Sequence, residues 1–169
     1  RLSRARPRNL KKAVLAEMID GDLLGCIAAE RRGEESTLGS LLGKLLKCKL
    51  LIVVEYTCRL INEMASISAG RTYLLQHPAA VDHLVSVLRE QDSDTIARQN
   101  ALGTLQKFSL RHKPQTAMIK LDLVKWIASI LRAHCRAEAD GETEAKGGNG
   151  ILTEYTVEYA NAVAMHLSV

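Results

Sequence analysis

Apolar residues in this chain recur at helical spacing, and the helices they predict recur in order. From Leu50 onward, Tyr56, Leu60, Ile61, Met64 and Ile67 follow an i, i+4, i+5, i+8, i+11 pattern. That stripe predicts a long amphipathic helix with these side chains turned inward and Ala69-Gly70 at its end. A short helical turn over RTYLLQ follows, then Pro78, then AAVDHLVSVLRE with Val81, Leu84, Val85 and Leu88 on one side. Proline suits a helix start because its missing N–H would be unpaired there in any case. Asp92, Ser93 and Asp94 offer oxygen acceptors to cap the next helix.

The order then begins again. TIARQNALGTLQKFS reads as a long helix, PQTAMIK as a short one after Pro114, and DLVKWIASILRAH as a medium one. Ser68 and Ser109 stand 41 positions apart, and Leu88 and Leu131 stand 43 apart, so the unit is three helices over about 42 residues. The words EYT at 55–57 and at 154–156 are 99 positions apart. That spacing exceeds two periods by the length of residues 136–150, RAEADGETEAKGGNG, a stretch with four glycines and no large apolar side chain. It reads as a flexible insertion, after which LTEYTVEYANAVAMHLSV supplies the long helix a third time.

A three-helix period of about 42 residues is the armadillo-like spacing, distinct from the two-helix tetratricopeptide and ankyrin units. Each unit leaves apolar surface at both ends, which stacking hides. The expected fold class is all-α, a right-handed armadillo-like α-solenoid with the long third helices lining its concave face. The domain expectation is a basic arm or linker over residues 1–13 and the repeat domain over 14–169. Upstream, STLGSLLGKLLK reads as the second helix of a preceding repeat, capped by Ser36, and NLKKAVLAEMID and DLLGCIAAERR give two more helices.

Composition supports helices: aromatic residues are 4% of the chain while apolar residues are 47%, a balance that β-rich folds seldom have. No run approaches the roughly 18 uninterrupted apolar residues of a membrane span, and LLIVVEYTCRLI carries Glu55 and Arg59. The chain opens on Arg1 with no charged-then-apolar leader, so we read it as an excerpt. Cys26, Cys48, Cys58 and Cys135 are dispersed with no CxxC pair, which reads as buried small side chains in a reducing compartment. The formal charge is +4, with Arg1, Arg4, Arg6, Arg8, Lys11 and Lys12 gathered at one end.

Catalytic readings find little support. There is no glycine-rich phosphate loop, the five histidines form no HxxxH pair, and His134 and Cys135 are helix neighbours that point about 100° apart. We expect no enzyme, cofactor, metal or small-molecule substrate. Glu55 and Glu154 are read as acids near the starts of long helices, complementing the positive helix end, and Tyr56 and Tyr155 as packing between helices. Opposite the apolar stripe, each long helix presents an i, i+3, i+4, i+7 set. These are Arg59, Asn62, Glu63 and Ser66; Asn100, Gly103, Thr104 and Lys107; and Glu158, Asn161, Ala162 and Met165. Together they form the candidate protein-binding groove.

EYTCRLINEMASISAGRTYLL, NALGTLQKFSLRHKPQTAMI and LTEYTVEYANAVAMHLSV closely resemble the armadillo-repeat-containing protein nine family of LisH-domain armadillo proteins. The resemblance runs from about Val14 to the end. It implies a non-enzymatic scaffold of the basal body, centriole and cilium, in the cytoplasm and cytoskeleton. Its implied partners are ciliary proteins including one of the tubulin-binding TOG-array type, in ciliary assembly, microtubule stability and signalling. The family's LisH motif and coiled coil do not occur in these residues. A nuclear-import receptor would need a Trp and Asn ladder on its third helices. The corresponding pairs here are Arg59 with Glu63, Asn100 with Thr104, and Glu158 with Ala162, so the ladder is absent. The alternative function is direct binding to microtubules or nucleic acid through the basic arm.

Overall fold

The computed structural model describes residues 7–32, 40–141 and 151–168. These residues form ten helices and no strand: α1 (Pro7–Asp20), α2 (Cys26–Arg32), α3 (Leu41–Leu46), α4 (Leu51–Ala65), α5 (Ser68–Leu74), α6 (Ala80–Glu90), α7 (Ile96–Phe108), α8 (His112–Lys120), α9 (Leu123–Ala139) and α10 (Glu154–Leu167). The described residues are all-helical in class, and α5, α6, α7 are followed by α8, α9, α10 in the order expected.

Local chemistry sets the boundaries. Thr95 caps α7 by accepting from the Arg98 N–H at 3.2 Å, and Thr153 caps α10 by accepting from the Thr156 N–H at 3.3 Å. Ser40, rather than Ser36, caps α3 by accepting from the Gly43 N–H at 3.0 Å; Ser36 lies outside the described residues. α8 starts two residues before Pro114, which occupies its first turn without breaking a bond.

The long first helix ends at Ala65, not at Ala69-Gly70, and α5 starts at Ser68. Gly70 instead allows a close approach between the two. A Cβ there would stand 2.1 Å from the Met64 carbonyl oxygen, so its bare backbone lets α5 fold back against the end of α4. α1 begins at Pro7, so residues 7–13, read as an arm, are helical; residues 1–6 lie outside the described residues. Residues 136–139 of the expected insertion continue α9, which stops where Gly141 adopts a φ of +74°. The remainder, 142–150, is likewise outside the described residues.

Packing places α4, α7 and α10 side by side with α7 in the middle. α6 lies under α7 with α3 at its flank, and α8 bridges α6 and α9. The core runs through Ile61 and Met64 of α4, Leu84 and Leu88 of α6, Leu102 and Leu105 of α7, and Ala160 and Val163 of α10, all buried. Val81, Leu84, Val85 and Leu88 are all inside, as the stripe on α6 predicts.

The stripe on α4 needs correction. Its buried face is Val54, Thr57, Cys58, Ile61, Met64 and Ala65, while Tyr56 is 61% exposed. Thr57 can be inside because its hydroxyl donates to the Val53 carbonyl at 2.7 Å. Cys26 and Cys58 are buried, and burial pushes both thiols up to about 12. Cys48 is half-buried and Cys135 exposed, so the reading of four buried cysteines holds for two.

His77 ties α3 to the turn before α6. Its Nδ1 accepts from the Ala79 N–H at 3.2 Å, which leaves Nε2–H to donate to the Ser40 hydroxyl oxygen at 2.6 Å. Burial, reinforced by the His83 ring 5.3 Å away, pushes its pKa down from 6.5 to about 4. The unfolded chain therefore takes up a proton that the folded chain refuses as pH falls below 6.5. Stability is lost in the window between 6.5 and 4, by about 2 kcal/mol from pH 7 to pH 5. Denaturant titrations at the two pH values are expected to show this loss in the parent and a smaller one in His77→Gln.

Candidate functional site: the three-helix face

The face shared by α4, α7 and α10 carries a polar network that crosses all three helices. The Asn62 amide donates to Asn100 Oδ1 at 2.9 Å and points at the Tyr155 hydroxyl at 3.5 Å. The Lys107 ammonium donates to Asn62 Oδ1 at 2.6 Å and to the Gly103 carbonyl at 3.2 Å, and sits 5.7 Å from the centre of the Tyr159 ring. Tyr155 and Tyr159 lie 4.2 Å apart, centre to centre. Thus one amide on α4 and one ammonium on α7 join side chains that are 93 positions apart in sequence.

Gly103 makes this possible. A Cβ at that position would be 2.6 Å from the Tyr155 hydroxyl oxygen and 3.2 Å from Asn62 Oδ1. The helix gives up about 1 kcal/mol of propensity relative to alanine, and the freed space admits the tyrosine hydroxyl from α10.

Burial shifts two of the groups here toward neutrality. It pushes the Lys107 ammonium below the ordinary lysine range, against the opposing pull of Glu63, and pushes the Tyr155 phenol upward. Oxygen acceptors and a ring face surround the ammonium, which braces the layer.

Only part of the expected groove set meets in this network. Asn62, Asn100 and Lys107 are brought together. Arg59 is exposed but paired with Glu55 at 2.8 Å and lies over the Tyr56 ring, its guanidinium carbon 5.4 Å from the centre. Glu63 pairs with Lys11 of α1 at 2.8 Å, and the Ser66 hydroxyl donates to the Asn62 carbonyl at 3.1 Å. Glu158 and Asn161 are exposed, as is Met165. Thr104 does not line a groove: it is fully buried, and its hydroxyl donates to the Asn100 carbonyl at 2.8 Å. Gly103 is buried as well.

Glu55 and Glu154 are not equivalent. Glu154 stands in the first turn of α10, whereas Glu55 is one turn inside α4 and serves Arg59. Asp94 caps a helix, as its residue type suggests, but a different one. Its carboxylate accepts from the Thr153 N–H, the Thr153 hydroxyl and the Thr156 hydroxyl, each at 2.8 Å, and so anchors the start of α10. At the other end of α10, His166 Nδ1 meets the Ser109 hydroxyl at 2.8 Å, and Gln115 donates to the Ser109 and His166 carbonyls at 2.8 and 3.2 Å. His134 accepts from the Leu152 N–H at 3.2 Å while its neighbour Cys135 faces outward. Sequence reasoning missed Tyr159 and the Thr153 and Thr156 partners of Asp94. The doubled EYT pointed at Tyr155 and Thr156 without giving their partners.

Among the described residues no group of three His, Cys, Asp or Glu side chains is placed to hold a metal ion, and no helix is long and apolar enough to cross a membrane. The arrangement holds three helices in register and leaves a rim of Arg59, Glu63, Glu158 and Asn161 facing solvent.

No family model matches the chain, and no solved structure matches it. Curated proteins do. A relative from Bos taurus is 40% identical over 167 residues, covering 99% of this chain and 22% of its own length. Relatives from Homo sapiens and Danio rerio are 37% and 35% identical over the same share of the chain and 18% of theirs. All three are named LisH domain-containing protein ARMC9. The chain thus spans about a fifth of the length of the curated relatives it matches, and along that segment it is homologous to ARMC9-named proteins at 31–40% identity.

Proposed function

We propose that the chain is a non-enzymatic protein-interaction module, a stack of armadillo-like three-helix repeats within a scaffold of the basal body, centriole and cilium. In this reading it supports ciliary assembly, the stability of ciliary microtubules and ciliary signalling, in the cytoplasm and cytoskeleton. The partner we expect is a tubulin-binding protein of the TOG-array type. The observation that carries the reading is homology along 99% of the chain to ARMC9-named proteins, joined to the side-by-side packing of α4, α7 and α10. The names of those relatives denote domains and repeats, not a reaction.

The partner-facing residues in this reading are Arg59, Glu63, Glu158 and Asn161, because their side chains are exposed while Asn62 and Lys107 are engaged within the network. The double substitution Arg59→Glu with Glu158→Lys reverses two rim charges. The Arg59–Glu55 pair it breaks is a surface pair worth at most about 1 kcal/mol. In a binding assay with a purified TOG-array protein, affinity is expected to fall about tenfold with the melting temperature lowered by no more than about 4 °C. Equal affinity in parent and variant would remove these residues from the proposal.

A further inference from the structure

We propose that the cleft between the end of α5, the start of α6 and the start of α8 binds an extended acidic peptide, with an aliphatic side chain in its floor and carboxylates on Arg111 and Lys113. None of the residues that line the cleft belongs to α4, α7 or α10, so it is a surface separate from the three-helix face. Its volume is about 350 Å³. A single turn of helix, about 10 Å across and about 5.4 Å long, fills about 420 Å³, so the space suits one or two side chains of an extended segment and not a docked helix. The floor is apolar and already shaped. Val81 and Pro114 are buried in it and Leu75 is half-buried. His77 is also part of it, but both ring nitrogens are engaged, Nδ1 by the Ala79 N–H and Nε2 by the Ser40 hydroxyl. The ring therefore offers an apolar wall and no free donor, which is what an aliphatic side chain needs.

The mouth of the cleft is polar, and its charge is mostly positive. Arg111 stands just before α8 and Lys113 in its first turn. The Arg111 guanidinium donates to the Thr72 hydroxyl at 2.8 Å, which ties it to α5 and leaves its other N–H groups for a ligand. Neither cation is in an ion pair among the described residues. A guanidinium fork matches a carboxylate, and an ammonium two residues away reinforces it. Glu30, from the last turn of α2, is the one acid among the lining residues. The lining thus carries two cations to one anion, and the occupant's carboxylates lie toward α8, away from Glu30. Charged groups at the lip of an apolar cleft select the ligand and orient it. Nucleic acid would need a longer basic track than two residues to gain comparable affinity.

Fluorescence anisotropy with the 169-residue chain and a labelled, end-blocked peptide, Gly-Ser-Leu-Glu-Glu, tests it. Saturable binding is expected below about 1 mM peptide. Changing both glutamates of the peptide to glutamine, or its leucine to serine, should weaken binding about tenfold in each case. Arg111→Glu with Lys113→Glu should weaken it by about tenfold or more, and negative side chains suit the start of α8, so the fold is kept. Arg111→Gln with Lys113→Gln repeats the comparison without reversing charge, and should lose affinity in the same direction. Lys47→Glu with Lys49→Glu makes the same change in net charge at exposed positions outside the cleft. At about 0.15 M salt, where distant charges are screened, it should alter binding less than about twofold. No saturable binding by the parent overturns the proposal, as does undiminished binding by both Arg111 and Lys113 variants. An equal loss in the Lys47 and Lys49 variant also overturns it, in favour of general attraction to a basic chain. Binding indifferent to the leucine overturns it in favour of carboxylate capture at the mouth alone.

Discussion

Leu105→Asp is expected to abolish cooperative unfolding of the chain. Leu105 is fully buried in α7, the helix packed on both sides by long neighbours. The substitution removes an apolar side chain from the core and leaves a carboxylate without water or a cation. The first loss alone is about 3 kcal/mol by comparison with leucine-to-alanine changes in cores. Desolvating the acid adds several more, whether it ionises or binds a proton to stay neutral. Together these approach the whole stability of a small domain, about 5–15 kcal/mol. Circular dichroism should show a low, broad transition or none at 25 °C. Leu105→Ala separates the two contributions: it should remain folded, with stability reduced by about 3 kcal/mol in a denaturant titration. If Leu105→Asp melted like the parent, Leu105 would not lie in the core.

That prediction was available from the periodicity because Leu102, Leu105 and Phe108 recur at helical spacing and are all buried in α7. The same holds for α6, whose four named apolar residues are all inside. α4 was harder to read. Its true inner face includes Thr57 and Cys58, which hydrophobic spacing does not single out, and so Tyr56 drew the stripe around by part of a turn. Thr104 misled for the same reason in reverse. A threonine can satisfy its hydroxyl on the carbonyl four residues back and then be buried like an apolar residue.

The groove residues were legible as a set on one face but not in their pairing. Whether Asn62 meets Asn100, Lys107 or neither depends on the register of one helix against another, to which the sequence of a single helix is blind. Gly103 carried the one available clue, a glycine inside an otherwise good helix, where its cost calls for a close approach by some neighbour. The neighbour, Tyr155, belongs to the doubled EYT. Its first copy puts the tyrosine in solvent and its second puts it against the bare backbone of α7. Identical words in two repeats therefore hold different places in the packing.

Asp94→Ala should fray the start of α10 away from the layer while leaving the rest of the protein folded. The carboxylate joins the end of one helical unit to the start of the last long helix across the insertion, and it accepts three hydrogen bonds at 2.8 Å. Two of the donors are hydroxyls and one is the backbone N–H of the residue that caps α10. Thr156 is fully buried, so its hydroxyl loses an ionised acceptor where water does not reach. Bonds to a charged group contribute about 1.5–3 kcal/mol when buried, less at the half-exposed Thr153, and the set is worth about 3 kcal/mol. The clamp at the far end, Ser109 and Gln115 against His166, is untouched. The expected result is therefore fraying from Thr153 inward, with faster hydrogen exchange in the first half of α10, little change in α4 and α6, and an earlier melting transition. Asp94→Asn keeps one acceptor oxygen without the charge and should recover part of the loss. Unaltered exchange at α10 in the alanine variant would mean that the helix is held by its apolar face alone. In that case Ala160 and Val163, not the Asp94 clamp, set its position against α7.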